Sequence, residues 1–497
     1  MGKTSSATTY QFLGQTLQLA NLSATVRTRH HLHDINNLHF DTLGGTGEGM
    51  LSFQKQPAGL VSVSGGIGFE KINLAEVGKT YGFSNPSKGS LTAHIDFKAD
   101  EAILEDGKHD WQVEGQAAFK DSSVNEVPIL RATANFDINS LGSNWTKVET
   151  EFDYASYVLR RRYGGPRSAV VRAESIRHDK KTKLTHISNL RGTAWPGPVL
   201  RLIGPDAADH VDESYGFRSP PGFTTSGVAD HRRPGTRTDL RSRIEARGTT
   251  EYEFLDRTLQ LAAVSATVQT RHQRHDVANL EFRTFRGSGA GEVTVKTRPG
   301  HAATISGGIK WNDLSLTDIG QTYNFEKAAK GSITGRIDFT TSAGNVRSLN
   351  GRGVMGLRDG QLFHVPIFGP LSLPIGGILG KKFSHEQARD ASATFVLKDG
   401  VAYTNDFLTS TPSTVFAGEG NINLATNHID MIMRMNARGL LGLVTLPLLP
   451  LNGLFQFRGQ GPLKKPVWRS SPFTQPAGGQ KNPIFRDPPR AQIVPER

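Results

Sequence analysis

No cysteine occurs anywhere in the 497 residues, which excludes a disulfide framework and any thiolate metal centre and leaves the redox compartment unreadable. Long apolar runs are missing as well. No stretch reaches the ~18 apolar residues of a membrane-crossing helix, and the opening MGKTSSATTYQFLGQT lacks the apolar core of a secretion signal. Met1-Gly2 with Ser6 fits a myristoylation pattern only in form. Catalytic signatures are absent too: there is no G-x-S-x-G elbow and no H-E-x-x-H pair, and carboxylates are scattered. Aromatics make up only 8 % against 54 glycines, lean for a thick globular core yet far from a disordered composition. Such a chain suits a sheet that exposes one face and turns often.

What is present is a duplication. The stretch Tyr10 to Phe97 returns at Tyr252 to Phe339 with a constant offset, 252 − 10 = 242, and nearly half its positions are identical. YQFLGQTLQLANLSATVRTRHHLHD is answered by YEFLDRTLQLAAVSATVQTRHQRHD. A repeat of this length is a folding unit, and such units stack to continue one hydrophobic surface. In the first copy Leu91, Ala93, Ile95 and Phe97 alternate with Thr92, His94 and Asp96, and Ile333, Gly335, Ile337 and Phe339 hold the same places in the second. Period two between glycine-rich breaks means strands with one face buried.

Along the chain, a short N-terminal segment (1–9) precedes a first β unit (10–250) whose second half is divergent and basic. A second unit (251–468) and a proline-rich, polar tail (469–497) follow, the tail reading as disordered. A helix is expected over Leu74–Tyr81, and a hairpin between SAVVRAESIRH and KTKLTHISNLRG with its turn at His178 to Lys181. Tyr252 is preceded by a long strand-like segment and Tyr10 by almost nothing, so the chain reads as truncated in front.

Several stretches invite a chemical reading. In IDMIMRM, Ile429, Met431, Met433 and Met435 share one strand face, with Asp430, Ile432 and Arg434 on the other. Methionine adapts to irregular apolar partners, so the stripe suits either a plain core or acyl chains. Two apolar stretches, 362–379 and 440–455, carry prolines that a spanning helix would not tolerate. They read as broken helices that cap the sheet or dip into a membrane surface, with Leu443, Leu446, Leu448 and Leu449 the apolar contacts and Lys464 and Lys465 facing anionic headgroups. His30, His31, His33 and Asp34, like His272, His275 and Asp276, could be taken for metal ligands. Residues three apart diverge on a strand, however, so these read as polar residues at strand ends or turns. The glycines at 45, 47 and 49, and at 287, 289 and 291, match no phosphate loop and are expected to mark bends or bulges. The net charge of +12 favours anionic surfaces in general. The run Arg160 to Arg162 lacks the interleaved aromatics of a nucleic-acid platform and reads as a solvated face.

From Ser214 to Trp468 the chain resembles the AsmA-like C-terminal region of bacterial envelope proteins, the family that includes AsmA and TamB. The resemblance is carried by TDLR at 238–241, YEFLDRTL from Tyr252, TYNFEKAAKGSITGRIDF from Thr322 and SLNGRGVMGLRDGQLFHVPIFGPLS from Ser348. DASATFVLKDGVAYTNDFLTSTPSTVFAGEGNINLATNHIDMIM and the closing GQGPLKKPVWR complete it. It implies a long antiparallel sheet folded into a groove with an apolar interior, and a role in moving or accommodating lipids between inner and outer membranes. By the same resemblance the protein belongs to the cell envelope, periplasmic and associated with the inner membrane. The usual N-terminal membrane anchor is not found here.

The expectation is therefore an all-β protein, an elongated, twisted, trough-like antiparallel sheet built from two homologous units with a few short helices. Its expected work is non-enzymatic lipid binding or transfer in outer-membrane biogenesis. Leu91, Ile95, Phe97, Ile333, Ile337, Phe339, Met431, Met433 and Met435 are the lining candidates. Phospholipid, a membrane surface and envelope proteins are the expected partners, with no cofactor, no metal and no nucleic acid. The alternative is a structural or adhesive β-repeat protein whose apolar faces pack on each other.

Overall fold

The computed structural model describes residues 2–3, 8–12, 15–55, 61–81, 88–103, 109–124, 127–153, 168–201, 215–230, 236–254, 257–298, 300–324, 329–361, 368, 390–411, 414–437 and 455–473. Almost all of these are in strands, which pair antiparallel into open sheet that does not close into a barrel. The chain falls into two compact units. One is Met1–Glu251 with Val268–His272, and the other is Tyr252–Thr267 with Gln273–Arg497.

In the first unit, strands follow one another as neighbours from Gln15–Arg29 through Leu32–Thr42, Gly45–Lys55, Val61–Asn73, Lys88–Ile103, His109–Val124, Val127–Asn139 and Gly142–Asp153. Ser168–Asp179, Leu184–Thr193, Gly222–Asp230 and Asp239–Phe254 continue the order. The connections are short because antiparallel neighbours need only a hairpin. Between Thr42 and Gly45 the turn residues Leu43 and Gly44 both take positive φ, 47° and 74°, the backbone a type I′ hairpin demands. The hairpin expected at His178 to Lys181 forms, with Asp179 still paired to Leu184.

The second unit repeats the plan from Arg274–Thr284 through Gly287–Arg298, His301–Ser315, Ser332–Ser342, Asn345–Arg358 and Asp390–Lys398. It ends with Val401–Ser410, Thr414–Asn423, His428–Ala437, Gln456–Pro462 and Val467–Ser470. Bulges recur at equivalent places in the two copies. The register slips between Ile35 and Leu38 and again between Val277 and Leu280, with Asn37 and Asn279 each at φ 51°. Strict alternation would send Ile35 and Leu38 to opposite faces; the extra residue returns both to the apolar side.

A helix fills Leu74–Tyr81, as the sequence predicts, and its counterpart is Leu316–Thr322. The latter starts at Ser315, whose hydroxyl accepts a hydrogen bond from the Asp318 amide at 3.2 Å, an N-cap. Leu74 and Leu316 are the buried anchors. In the first unit a closed core gathers Val127, Ile129, Phe152, Val171 and Trp195. Trp195 is fully buried, and its indole Nε1 donates to the Phe217 carbonyl at 3.1 Å. In the second unit the core joins Phe407, Phe416, Phe457 and Trp468 with Ile429 and three methionines.

Candidate functional site

Cross-strand register turns the alternation of single strands into rows. In the first unit Leu38, Gly49, Ile67, Ile95, Gly115, Phe136, Trp145, Ile176 and Ile187 stand opposite one another from strand to strand. At 4.7–4.9 Å per strand this row runs for roughly 40 Å along the sheet. In the second unit Leu280, Gly291, Ile309, Ile337, Gly353 and Phe395 form the corresponding row. Most of these side chains are only half-buried. The rows are apolar surface still partly open to solvent.

Six of the nine lining candidates lie on this surface. Ile95 and Ile337 belong to the two rows themselves. Phe97 faces Gly65 and Val113, Phe339 faces Gly307 and Gly351, Leu91 sits between Ile72 and Phe119, and Ile333 between Leu314 and Leu357. All six are half-buried. Met431, Met433 and Met435 are different. They are 2 %, 0 % and 5 % exposed and pack with Phe416, Phe457 and Trp468, so the stripe is a filled core rather than open lining. Ile432, on the opposite side of that strand, is also buried. Its cross-strand neighbours Glu419 and Arg458 are each engaged in ion pairs, with Arg434 and Asp430.

Of the membrane-surface candidates, Lys464 and Lys465 are exposed in the turn that joins Gln456–Pro462 to Val467–Ser470. Leu443, Leu446, Leu448 and Leu449 lie outside the described residues, as do the apolar stretch around them, most of 362–379, the run Arg160 to Arg162 and all of the tail beyond Phe473.

Of the glycines expected at bends or bulges, Gly45 and Gly287 close hairpin turns and Gly49 and Gly291 border the bulges, while Gly47 and Gly289 serve a close approach. Gly47 lies beneath the Phe40 ring and Gly289 beneath Phe282, each directly opposite its aromatic partner, and a Cβ at either glycine would collide with the ring. Gly459 accommodates Trp468 in the same way. A bare backbone gives the ring a flat surface to cover, so each pair packs as one unit on the apolar face.

The other face of the sheet is polar and carries Asp34 and Asp276, whereas His33 and His275 alternate onto the apolar side beside Ile35 and Val277. His30 and His31 make the turn between two strands, His33 Nδ1 lies 3.1 Å from the Thr28 hydroxyl, and Asp34 accepts from the Ser52 hydroxyl at 2.9 Å. Asp276 accepts from Arg274 Nε and the Thr294 hydroxyl, at 2.8 and 2.7 Å. Burial holds the His275 imidazole below its ordinary value, and the Asp276 charge opposes that only in part. Among the described residues no three His, Asp or Glu side chains stand close enough to share a metal ion. None of the described helices is long and apolar enough to cross a membrane. Sequence reasoning did not reach the arginines on the polar face, whose juxtaposition depends on register across four strands.

Comparison with protein-family models finds no match, and comparison with curated proteins finds no significant relative.

Proposed function

We propose that the protein binds lipid acyl chains along the apolar rows of its two β units and acts, without catalysis, in lipid binding or transfer in the bacterial cell envelope. The observation that carries this reading is the half-exposed row through Ile95 and its counterpart through Ile337. Apolar surface left partly in water is a cost, at about 25 cal/mol per Å², and contiguous exposed patches mark binding surfaces. Acyl chains offset that cost without any catalytic group, each buried methylene contributing ~0.8 kcal/mol. The row of roughly 40 Å in the first unit exceeds the ~30 Å hydrocarbon thickness of a bilayer, so more than one lipid tail fits along it. The resemblance to the AsmA-like family adds the setting: the periplasmic side of the inner membrane, phospholipid as ligand, and envelope proteins as partners.

A structural β-repeat role is the second reading, favoured by the closed methionine core of the second unit, where Met433 and Phe457 are fully buried. Native mass spectrometry of the purified full chain, with Ile337→Asp beside it, separates the two. Co-purifying phospholipid that falls to roughly half in the variant supports lipid binding. A lipid-free wild type that takes up none from vesicles sinks it in favour of the structural role.

A further inference from the structure

We infer that the polar face of the first unit carries a binding site for a phosphate-bearing anion, formed by Arg172, Arg191 and Arg243. These side chains, with Thr193, Thr224 and Glu245, line an open cleft of about 540 Å³. Register explains how they meet: Arg172 is paired with Arg191, Arg191 with Thr224, and Thr224 with Arg243, across four neighbouring strands.

The charge order of this face is regular until it reaches the cleft. Glu151 meets Arg131 at 2.9 Å, Arg131 meets Glu149 at 3.5 Å, and Glu149 meets Arg172 at 2.8 Å. The next residue in that alternation should be acidic. It is Arg191 instead, and like charges directly opposite one another on adjacent strands are destabilising. Among the described residues neither Arg191 nor Arg243 has an ion-pair partner, and both are exposed. The cleft's one carboxylate, Glu245, is already within 3.5 Å of Arg247. A smaller cleft of about 350 Å³ shares Arg172 and Arg191 and adds Lys147 and Glu174.

An anion set between these guanidinium groups would relieve the repulsion. The planar fork of arginine matches phosphate oxygens in bidentate fashion, and the hydroxyls of Thr193 and Thr224 add neutral donors. The shared chemistry is a phosphate group, carried either by a soluble ion or by a lipid headgroup. The site lies on the face opposite the apolar row, so this inference and the lipid-tail reading stand or fall separately.

The test uses the full chain, inorganic pyrophosphate in a calorimeter, and vesicles of phosphatidylglycerol against phosphatidylcholine. The comparison is with R191A/R243A and with R336A/R352A, which removes two exposed arginines from the second unit. Circular dichroism verifies that each variant is folded. The expected result is that R191A/R243A weakens binding about tenfold or more, while R336A/R352A leaves it nearly unchanged. Loss of the pyrophosphate response assigns a soluble ligand; loss confined to phosphatidylglycerol vesicles assigns a headgroup. Absence of binding to either probe, or equal weakening by both double variants, overturns the inference and leaves only the general attraction of a chain with net charge +12.

Discussion

At the scale of single residues, packing here depends on glycine as much as on the large apolar side chains. Phe282 lies across Gly289, and the space a side chain would need is already taken. Gly289→Val should therefore cost ~1–3 kcal/mol by overpacking. The combination with Phe282→Ala should cost less than the sum of the two single changes, which urea unfolding of the three variants measures. Charge at this scale is exemplified by His275. Its imidazole is held below the ordinary value by burial, so the folded state binds fewer protons than the unfolded chain in the window below pH ~6.5. The stability it contributes is complete above that pH and is lost as pH falls through the lowered pKa. Thermal melts from pH 7 down to 5 should show a gentler acid slope in His275→Gln than in the parent protein.

Elements in this protein are strands whose two faces have different fates, and in the second unit the closing strands are where both faces become covered. In the second unit His428–Ala437 carries Met431, Met433 and Met435 inward against Phe416, Phe457 and Trp468. Outward, Asp430 receives two hydrogen bonds from Arg458, at 2.9 and 2.8 Å. Met433→Ala should cost ~2–5 kcal/mol through lost burial and an unfilled cavity, whereas Met433→Leu conserves volume and should cost less than ~1.5 kcal/mol. Chemical denaturation of both variants checks the contrast. In the first unit Trp195→Phe tests the core around Val127 and Phe152. It keeps most of the ring but loses the Nε1 hydrogen bond and leaves the Phe217 carbonyl short of a donor, at ~1–3 kcal/mol.

For the whole molecule, the duplication means that the half-exposed apolar row occurs twice, once in each unit, and on the proposed function each row takes up lipid. Substitution in one unit should then halve uptake rather than abolish it. Ile95→Asp or Ile337→Asp alone is expected to leave roughly half the bound lipid, and the two together little, since each charge interrupts an apolar row that excludes unpaired carboxylates. Lipid counted per chain by native mass spectrometry distinguishes this from a single binding region, in which either substitution would remove nearly all of it.

The sequence by itself determined the local grammar. Period-two alternation announced strands, the helix at Leu74–Tyr81 stands where it was expected, and across the offset of 242 a helix and a bulge recur at equivalent places. These are properties of neighbours along the chain, and backbone geometry enforces them wherever the strand is placed. The contents of each face were decided only by tertiary structure. IDMIMRM and LTAHIDF show the same alternation, yet the methionines are sealed in a core and Ile95 is half open, because Phe416, Phe457 and Trp468 enclose the first whereas Ile95 borders only the smaller cluster around Phe136. Nor could spacing along the chain show that Arg172, Arg191 and Arg243 share one cleft. Cross-strand register, itself set by bulges, brings together residues dozens of positions apart.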